Sequence, residues 1–178
     1  MKIYTRKGDD GTTGLLFGGR VRKDDPAPEA YGAVDEAQAA LGVARAETGE
    51  GSELDRLLVR LERDLWVVMA ELATAPENRT KLDAGVSLVT TEMVDGLEPI
   101  IDDLTSRFDA PSEFVVPGQN RLSALLDVGR VAVRKAERRA LVAAAASSHV
   151  VPYLNRLSDL LWTMARWQEG QFMPARER

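Results

Sequence analysis

Residues 52 to 76 read SELDRLLVRLERDLWVVMAELATAP, and the reading of this stretch decides the fold class. Leu54, Leu57, Leu61, Leu65, Val68 and Leu72 recur at intervals of three and four, which gathers them into one apolar stripe on an α-helix. Ser52, followed three residues later by Asp55, has the spacing of a capping box at the helix start. Pro76 closes the pattern, because proline has no N–H to continue the ladder. A helix with one apolar stripe must bury it against other elements, so the flanking sequence should supply partners.

Four more helical patterns follow. One starts near Asp25 to Pro28 and places Val34, Ala37, Leu41 and Ala44 on one face. Residues 91 to 108 fit another through Val94, Leu97, Ile101, Leu104 and Phe108, with Pro99 predicting a kink inside it. A short extended piece, Phe114-Val115-Val116-Pro117-Gly118, precedes a helix from about Leu122 to Ala146 that carries Leu122, Leu125, Leu126 and Val133. The last runs from about Val151 to Glu169: Leu154, Leu157, Leu161 and Met164 form its core stripe, and Asn155, Asp159, Trp162 and Arg166 lie on another face. Helices of this length on short loops predict an all-α, up-and-down five-helix bundle in a single domain. Residues 26 to 170 form the bundle, and residues 1 to 25 a glycine-rich N-terminal loop.

Composition narrows the chemistry. A chain of 178 residues suits one domain that buries roughly 70% of its unfolded surface. With no Cys there is no disulfide, thiolate nucleophile or Cys-ligated metal site. The longest apolar runs fall short of the roughly 20 residues that span a bilayer, so no membrane association is expected. MKIYTRKGDD has neither a signal core nor the character of a transit peptide, and the cytoplasm is the expected location. The net charge of -5 opposes nucleic acid, so any polyanion must be met by a local basic cluster.

Two such clusters exist. Gly8-Asp9-Asp10-Gly11-Thr12-Thr13-Gly14 has the composition of an anion-binding loop, since glycines let N–H groups converge and hydroxyls add donors. It is not a P-loop, and a flexible arm fits the glycines as well; the flanking Lys7, Arg20, Arg22 and Lys23 turn the balance toward polyphosphate. The second is RVAVRKAERR, residues 130 to 139, which pattern alone reads first as a solvated helix face. Within it Arg130, Arg134, Glu137 and Arg138 share one face able to clamp a triphosphate, while Lys135 and Arg139 point toward solvent or helix-surface pairs. Asn155 asks for a hydrogen-bond partner if buried. His149, the only histidine, reads as a surface residue between helices, which removes the di-iron bundle and the Ser–His and Cys–His systems. The nucleophile of an enzyme so composed would come with its substrate.

These motifs together resemble the PduO-type ATP:cob(I)alamin adenosyltransferases over nearly the whole length. The resemblance rests on Tyr4-Thr5-Arg6-Lys7-Gly8-Asp9-Asp10-Gly11-Thr12-Thr13-Gly14-Leu15 with Phe17-Gly18-Gly19-Arg20 and Lys23-Asp24-Asp25. It rests also on Tyr31-Gly32-Ala33-Val34-Asp35-Glu36, Phe114 to Gly118, Arg130 to Arg139, and Tyr153-Leu154-Asn155-Arg156-Leu157-Ser158-Asp159-Leu160-Leu161. Where the family often follows Pro-Gly with another Gly, this chain has Gln119-Asn120.

The resemblance implies a homotrimer of five-helix bundles that transfers the 5′-deoxyadenosyl group of ATP to cob(I)alamin, giving adenosylcobalamin and triphosphate. It implies that Thr5, Arg6, Lys7, Gly8, Thr13, Gly14 and Lys23 hold the triphosphate together with Arg134, Glu137, Arg138 and Asn155. Asp35 would pair with Arg130 across the subunit boundary, and Phe114 would press on the lower face of the corrin. Mg²⁺ joins the triphosphate in this picture, with unassigned protein ligands, and a cobalamin reductase and a cobalamin-dependent mutase are the implied partner enzymes. Co(I) is a strong nucleophile and needs no general base, which agrees with the missing catalytic His and Cys. A carrier that binds adenosylcobalamin without turnover, or a purely structural bundle, are the competing readings; the glycine loop, Lys23 and Arg134 speak for ATP chemistry.

Overall fold

The computed structural model describes residues 3–176. Its helices are α1 (Pro26–Ala46), α2 (Glu53–Leu72), α3 (Thr91–Asp95), α4 (Glu98–Thr105), α5 (Arg121–Ala143) and α6 (Val150–Glu169), with a 3₁₀ turn at Pro76–Lys81. Two short strands, β1 (Thr12–Gly14) and β2 (Arg20–Arg22), precede them. Helix α5 lies between α1 and α6, α2 packs on α1, and α4 packs on α6. The short links between α1 and α2 and between α5 and α6 give the expected up-and-down pairs. A longer excursion carrying the 3₁₀ turn, α3 and α4 joins these pairs.

The predicted stripes of α1 and α6 lie wholly in the core, whereas of the stripes at 91–108 and on α5 only Leu97, Leu104, Leu126 and Val133 are buried, with Val94, Ile101, Leu122 and Leu125 half-buried against it. Val34, Ala37, Leu41 and Ala44 are fully buried, as are Leu154, Leu157, Leu161 and Met164. On α2 the stripe runs through Leu58 as well as Leu61 and Leu65, while Leu57 is only half-buried. Gly129 lets α1 and α5 approach closely, since a Cβ there would stand 2.6 Å from Leu41 Cδ2.

Two expectations need correction. There are six α-helices among the described residues rather than five, because the segment from 91 to 108 breaks between Asp95 and Glu98. Pro99 leaves the Asp95 carbonyl without its i+4 donor, and the Leu97 N–H turns instead to Val94 O at 3.1 Å. Helix α4 then restarts with Pro99 in its first turn, where an N–H has no partner anyway. The fold is also not purely helical. The glycine-rich stretch folds as an antiparallel hairpin in the register Thr12↔Arg22, Thr13↔Val21 and Gly14↔Arg20. Positive φ at Phe17, Gly18 and Gly19 turns the chain, and Leu16 N–H donates to Ala73 O at 2.8 Å, which anchors the hairpin to the end of α2.

The caps differ in detail. Ser52 accepts from the Asp55 N–H, but the Asp55 carboxylate turns to the Gly51 N–H at 2.9 Å and Arg45 Nε at 2.9 Å, so only half of the predicted box forms. A complete box caps α5: Asn120 Oδ1 accepts from the Ser123 N–H at 2.8 Å, and Ser123 Oγ accepts from the Asn120 N–H at 3.4 Å. That helix ends at Ala143, with Ala144 already extended, short of the expected Ala146. Among the described residues no helix is long and apolar enough to cross a membrane.

Candidate functional site

The chemistry-bearing residues fall into three groups. In the first, the loop before β1, Arg20 is the organiser: it donates to Lys7 O at 2.6 Å and through Nε to Thr12 Oγ1 at 3.1 Å. Asp10 accepts from the Thr12 hydroxyl at 2.7 Å and the Thr12 N–H at 2.9 Å. These bonds, with nearby Arg20, hold its carboxyl below the usual range. Arg22 is paired with Asp24 at 2.8 Å. Arg20 and Arg22, expected as phosphate cations, are thus engaged in building and neutralising the loop. Lys7 and Lys23 have no carboxylate partner among the described residues. Gly8 lies beneath Lys23, since a Cβ there would stand 3.2 Å from Nζ. Arg6 has φ of 60° and its guanidinium lies 5.7 Å from the Tyr4 ring centroid. Thr5, Arg6, Lys7 and Gly14 are exposed, and Gly8 and Thr13 half-buried.

The second group spans α5 and α6. Arg134 and Arg138 are exposed, and Arg138 donates to the Arg134 carbonyl at 3.0 Å. Asn155 Nδ2 donates to Glu137 Oε1 at 3.1 Å, an interhelical bond at the edge of the same face. Lys135 pairs with Glu36 at 2.6 Å, and Arg139 lies 3.9 Å from Glu29, so both lean on α1 as helix-surface pairs. Among the described residues no hydrogen bond or ion pair links the Thr5-to-Gly14 loop to Arg134, Glu137, Arg138 or Asn155.

The third group surrounds a cleft of about 480 Å³ lined by Phe114, Pro117, Asp127, Arg130, Trp162 and Arg166. Phe114 is 90% exposed. Its backbone is held by the C-terminal segment: Ala175 N–H donates to Phe114 O at 2.7 Å, and Val116 N–H to Met173 O at 2.8 Å. Arg130 donates through Nε to Asp127 Oδ1 at 2.8 Å. Asp35 is exposed on α1 and makes no ion pair with Arg130 within the chain.

Sequence reasoning missed Asp127, and it set Arg166 on a face apart from the core stripe without anticipating that this side chain is buried. The available signal was an acid and a base on the facing stripes of the last two long helices. It also missed Glu71, buried at the end of α2, whose carboxylate accepts from Arg79, the Val89 N–H and the Ser148 hydroxyl at 2.8, 2.8 and 2.6 Å. His149 is half-buried at the start of α6, and its Nε2 lies 3.3 Å from the Thr91 hydroxyl. Among the described residues no cluster of three or more His, Cys, Asp or Glu could hold a metal ion.

Residues 3–168 match the family model of the cobalamin adenosyltransferases. A corrinoid adenosyltransferase of Citrobacter freundii is 41% identical over 172 residues, 94% of this chain and 95% of the relative. The corrinoid adenosyltransferase PduO of Salmonella typhimurium is 36% identical over 174 residues, 96% of this chain and 50% of the relative. Among solved structures, a variant PduO-type ATP:corrinoid adenosyltransferase from Lactobacillus reuteri, complexed with cobalamin and ATP, superposes with a TM-score of 0.87 at 28% identity, covering 99% of this chain and 100% of the other.

Proposed function

We propose, from the premise that this chain belongs to the cobalamin adenosyltransferase family, that its catalytic site is shared between copies, the glycine loop of one meeting the Arg134 face of the next. The reaction is the transfer of the 5′-deoxyadenosyl group of ATP to cob(I)alamin, and the protein is a transferase. The Co–C5′ bond forms with the electron pair of Co(I), and the C5′–O bond breaks, its pair leaving on triphosphate. No proton moves in that step, so the protein needs no general base. It has to align C5′ with cobalt, neutralise the growing charge on the leaving oxygens and keep water from the metal.

Lys7, Lys23 and the N–H groups around Gly8, Thr13 and Gly14 suit one side of the triphosphate, with Thr5 and Arg6 at its edge. Arg134 and Arg138 suit the other, and the Asn155 amide holds the Glu137 carboxylate aside. Mg²⁺ bound with the triphosphate would supply further charge neutralisation there. Arg130 gives its Nε to Asp127, which leaves both terminal nitrogens for Asp35 of a neighbouring copy. Phe114, exposed at the mouth of its cleft, suits displacement of the lower ligand of the corrin, which would make Co(II) easier to reduce. A homotrimer in the cytoplasm, served by a cobalamin reductase and feeding a cobalamin-dependent mutase, completes this reading.

The observation that supports the shared site is that both halves stand open on the surface of one copy, Lys7 and Lys23 at the loop and Arg134 and Arg138 on α5. Mixing tests it. Lys23→Ala and Arg134→Ala proteins, each impaired alone, should regain activity when dissociated and reassembled together, because some sites then combine an intact loop with an intact face. Sedimentation velocity showing an active monomer at assay concentration would exclude the shared site.

A further inference from the structure

Resting on the reading in which Arg130 meets Asp35 of a neighbouring copy, we propose that Arg166 is a positioning residue for Arg130, acting through Asp127 from the floor of the Phe114 cleft. Arg166 is 2% exposed. Its Nη2 lies 2.6 Å from Asp127 Oδ2 and 3.0 Å from Glu169 Oε1, and its Nε lies 2.8 Å from Glu169 Oε2. The Trp162 ring, 5.9 Å from the guanidinium, flanks it. Asp127 therefore divides its two oxygens between two arginines, Oδ2 to the buried Arg166 and Oδ1 to Arg130 Nε at 2.8 Å.

This division decides how Arg130 is presented. An arginine beside a free carboxylate prefers the two-pronged arrangement that engages both oxygens. With Oδ2 occupied by Arg166, Arg130 reaches Asp127 through Nε to Oδ1, and its terminal nitrogens stay available at the cleft rim. Without Arg166 holding Oδ2, the carboxylate would be free to turn both oxygens toward Arg130, and the fork would be drawn inward onto Asp127. Stability alone does not account for the network, because burying Arg166 and Glu169 costs desolvation that a packed apolar pair would avoid.

A double-mutant cycle tests the inference, with turnover of ATP and cob(I)alamin as readout. Arg166→Met is expected to lower kcat about 10-fold with KM for ATP nearly unchanged, and to change kcat by less than about 2-fold in an Arg130→Ala background. Equal losses in both backgrounds, or full kcat in folded Arg166→Met, overturn the inference. Should Arg166→Met fail to fold by circular dichroism, Arg166→Lys carries the same cycle and the same outcomes, since it keeps the buried charge and loses the planar fork. Arg130→Ala with ordinary kcat would remove the shared-site role of Arg130, and this inference with it. That result is distinct from equal losses, which remove this inference alone.

Discussion

Asn155 on α6 donates its side-chain amide to the Glu137 carboxylate on α5 at 3.1 Å, which fixes a negative group three residues from the exposed Arg134. Released, that carboxylate would be in range of Arg134 at the i,i+3 spacing and would compete with a phosphate for it. Asn155→Ala is therefore expected to raise KM for ATP about 10-fold, a change of about 1.4 kcal/mol, while thermal stability barely moves because Asn155 is exposed. Steady-state kinetics checks this, and an unchanged KM would show that Glu137 needs no restraint.

Arg134 has no carboxylate partner among the described residues, so its removal leaves no buried charge behind. Arg134→Ala should fold normally and lose about 10²-fold or more in turnover, the usual scale for losing a preorganised donor to a charged leaving group. Near-normal turnover, measured with saturating ATP, would take this arginine out of the site.

The sequence disclosed what is periodic and local. Val34, Ala37, Leu41 and Ala44, or Leu154 through Met164, announce their helices because burial of one face requires that spacing. The hairpin was hidden, since strands as short as Thr12–Gly14 and Arg20–Arg22 hold too few residues to alternate, and the turn places a non-glycine residue, Phe17, at positive φ. The break before Pro99 was legible only as a kink, because a continuous apolar stripe from Val94 to Phe108 fits one bent helix or two short ones equally. For the candidate site, the motifs singled out the loop and the Arg134 face but not which of their cations are tied up in ion pairs. That depends on which carboxylates fold against Arg20 and Arg22. Asp127 and Glu71, and the burial of Arg166, stayed invisible for a related reason: a charged side chain reads as surface until its distant partner is known.

Asp64 offers a pH test independent of catalysis. Burial pushes its carboxyl up, against the lowering effect of the Tyr153 hydroxyl, which donates to Oδ2 at 2.9 Å, and of Arg60. A carboxyl whose folded pKa is raised favours the folded state at low pH, and that contribution is lost as pH rises through the folded value. Asp64→Asn keeps an acceptor for Tyr153 and removes the ionisation. Its Tm should exceed that of the unaltered protein at pH 7, with the gap closing as pH falls toward 4. A gap that is absent at pH 7, or constant across the range, would show that ionisation of Asp64 costs the fold nothing.

Phe114 separates a structural from a functional role most sharply. A buried phenylalanine cut to alanine costs about 3–5 kcal/mol, and an aromatic residue in the short extended segment could have been such a core group. At 90% exposure it is not: the ring is open to solvent, and the segment is held through its backbone by Met173 and Ala175. Those backbone bonds survive truncation of the side chain, so Phe114→Ala should change stability by less than about 0.5 kcal/mol. If the ring displaces the lower ligand, the same protein should bind ATP normally and lose the spectral signature of four-coordinate cob(II)alamin, with turnover falling in step. Magnetic circular dichroism of cob(II)alamin with ATP and each protein reads this directly. A four-coordinate signal of equal strength in Phe114→Ala would assign the displacement to another residue, and Trp162, on the same cleft, is the next aromatic to test.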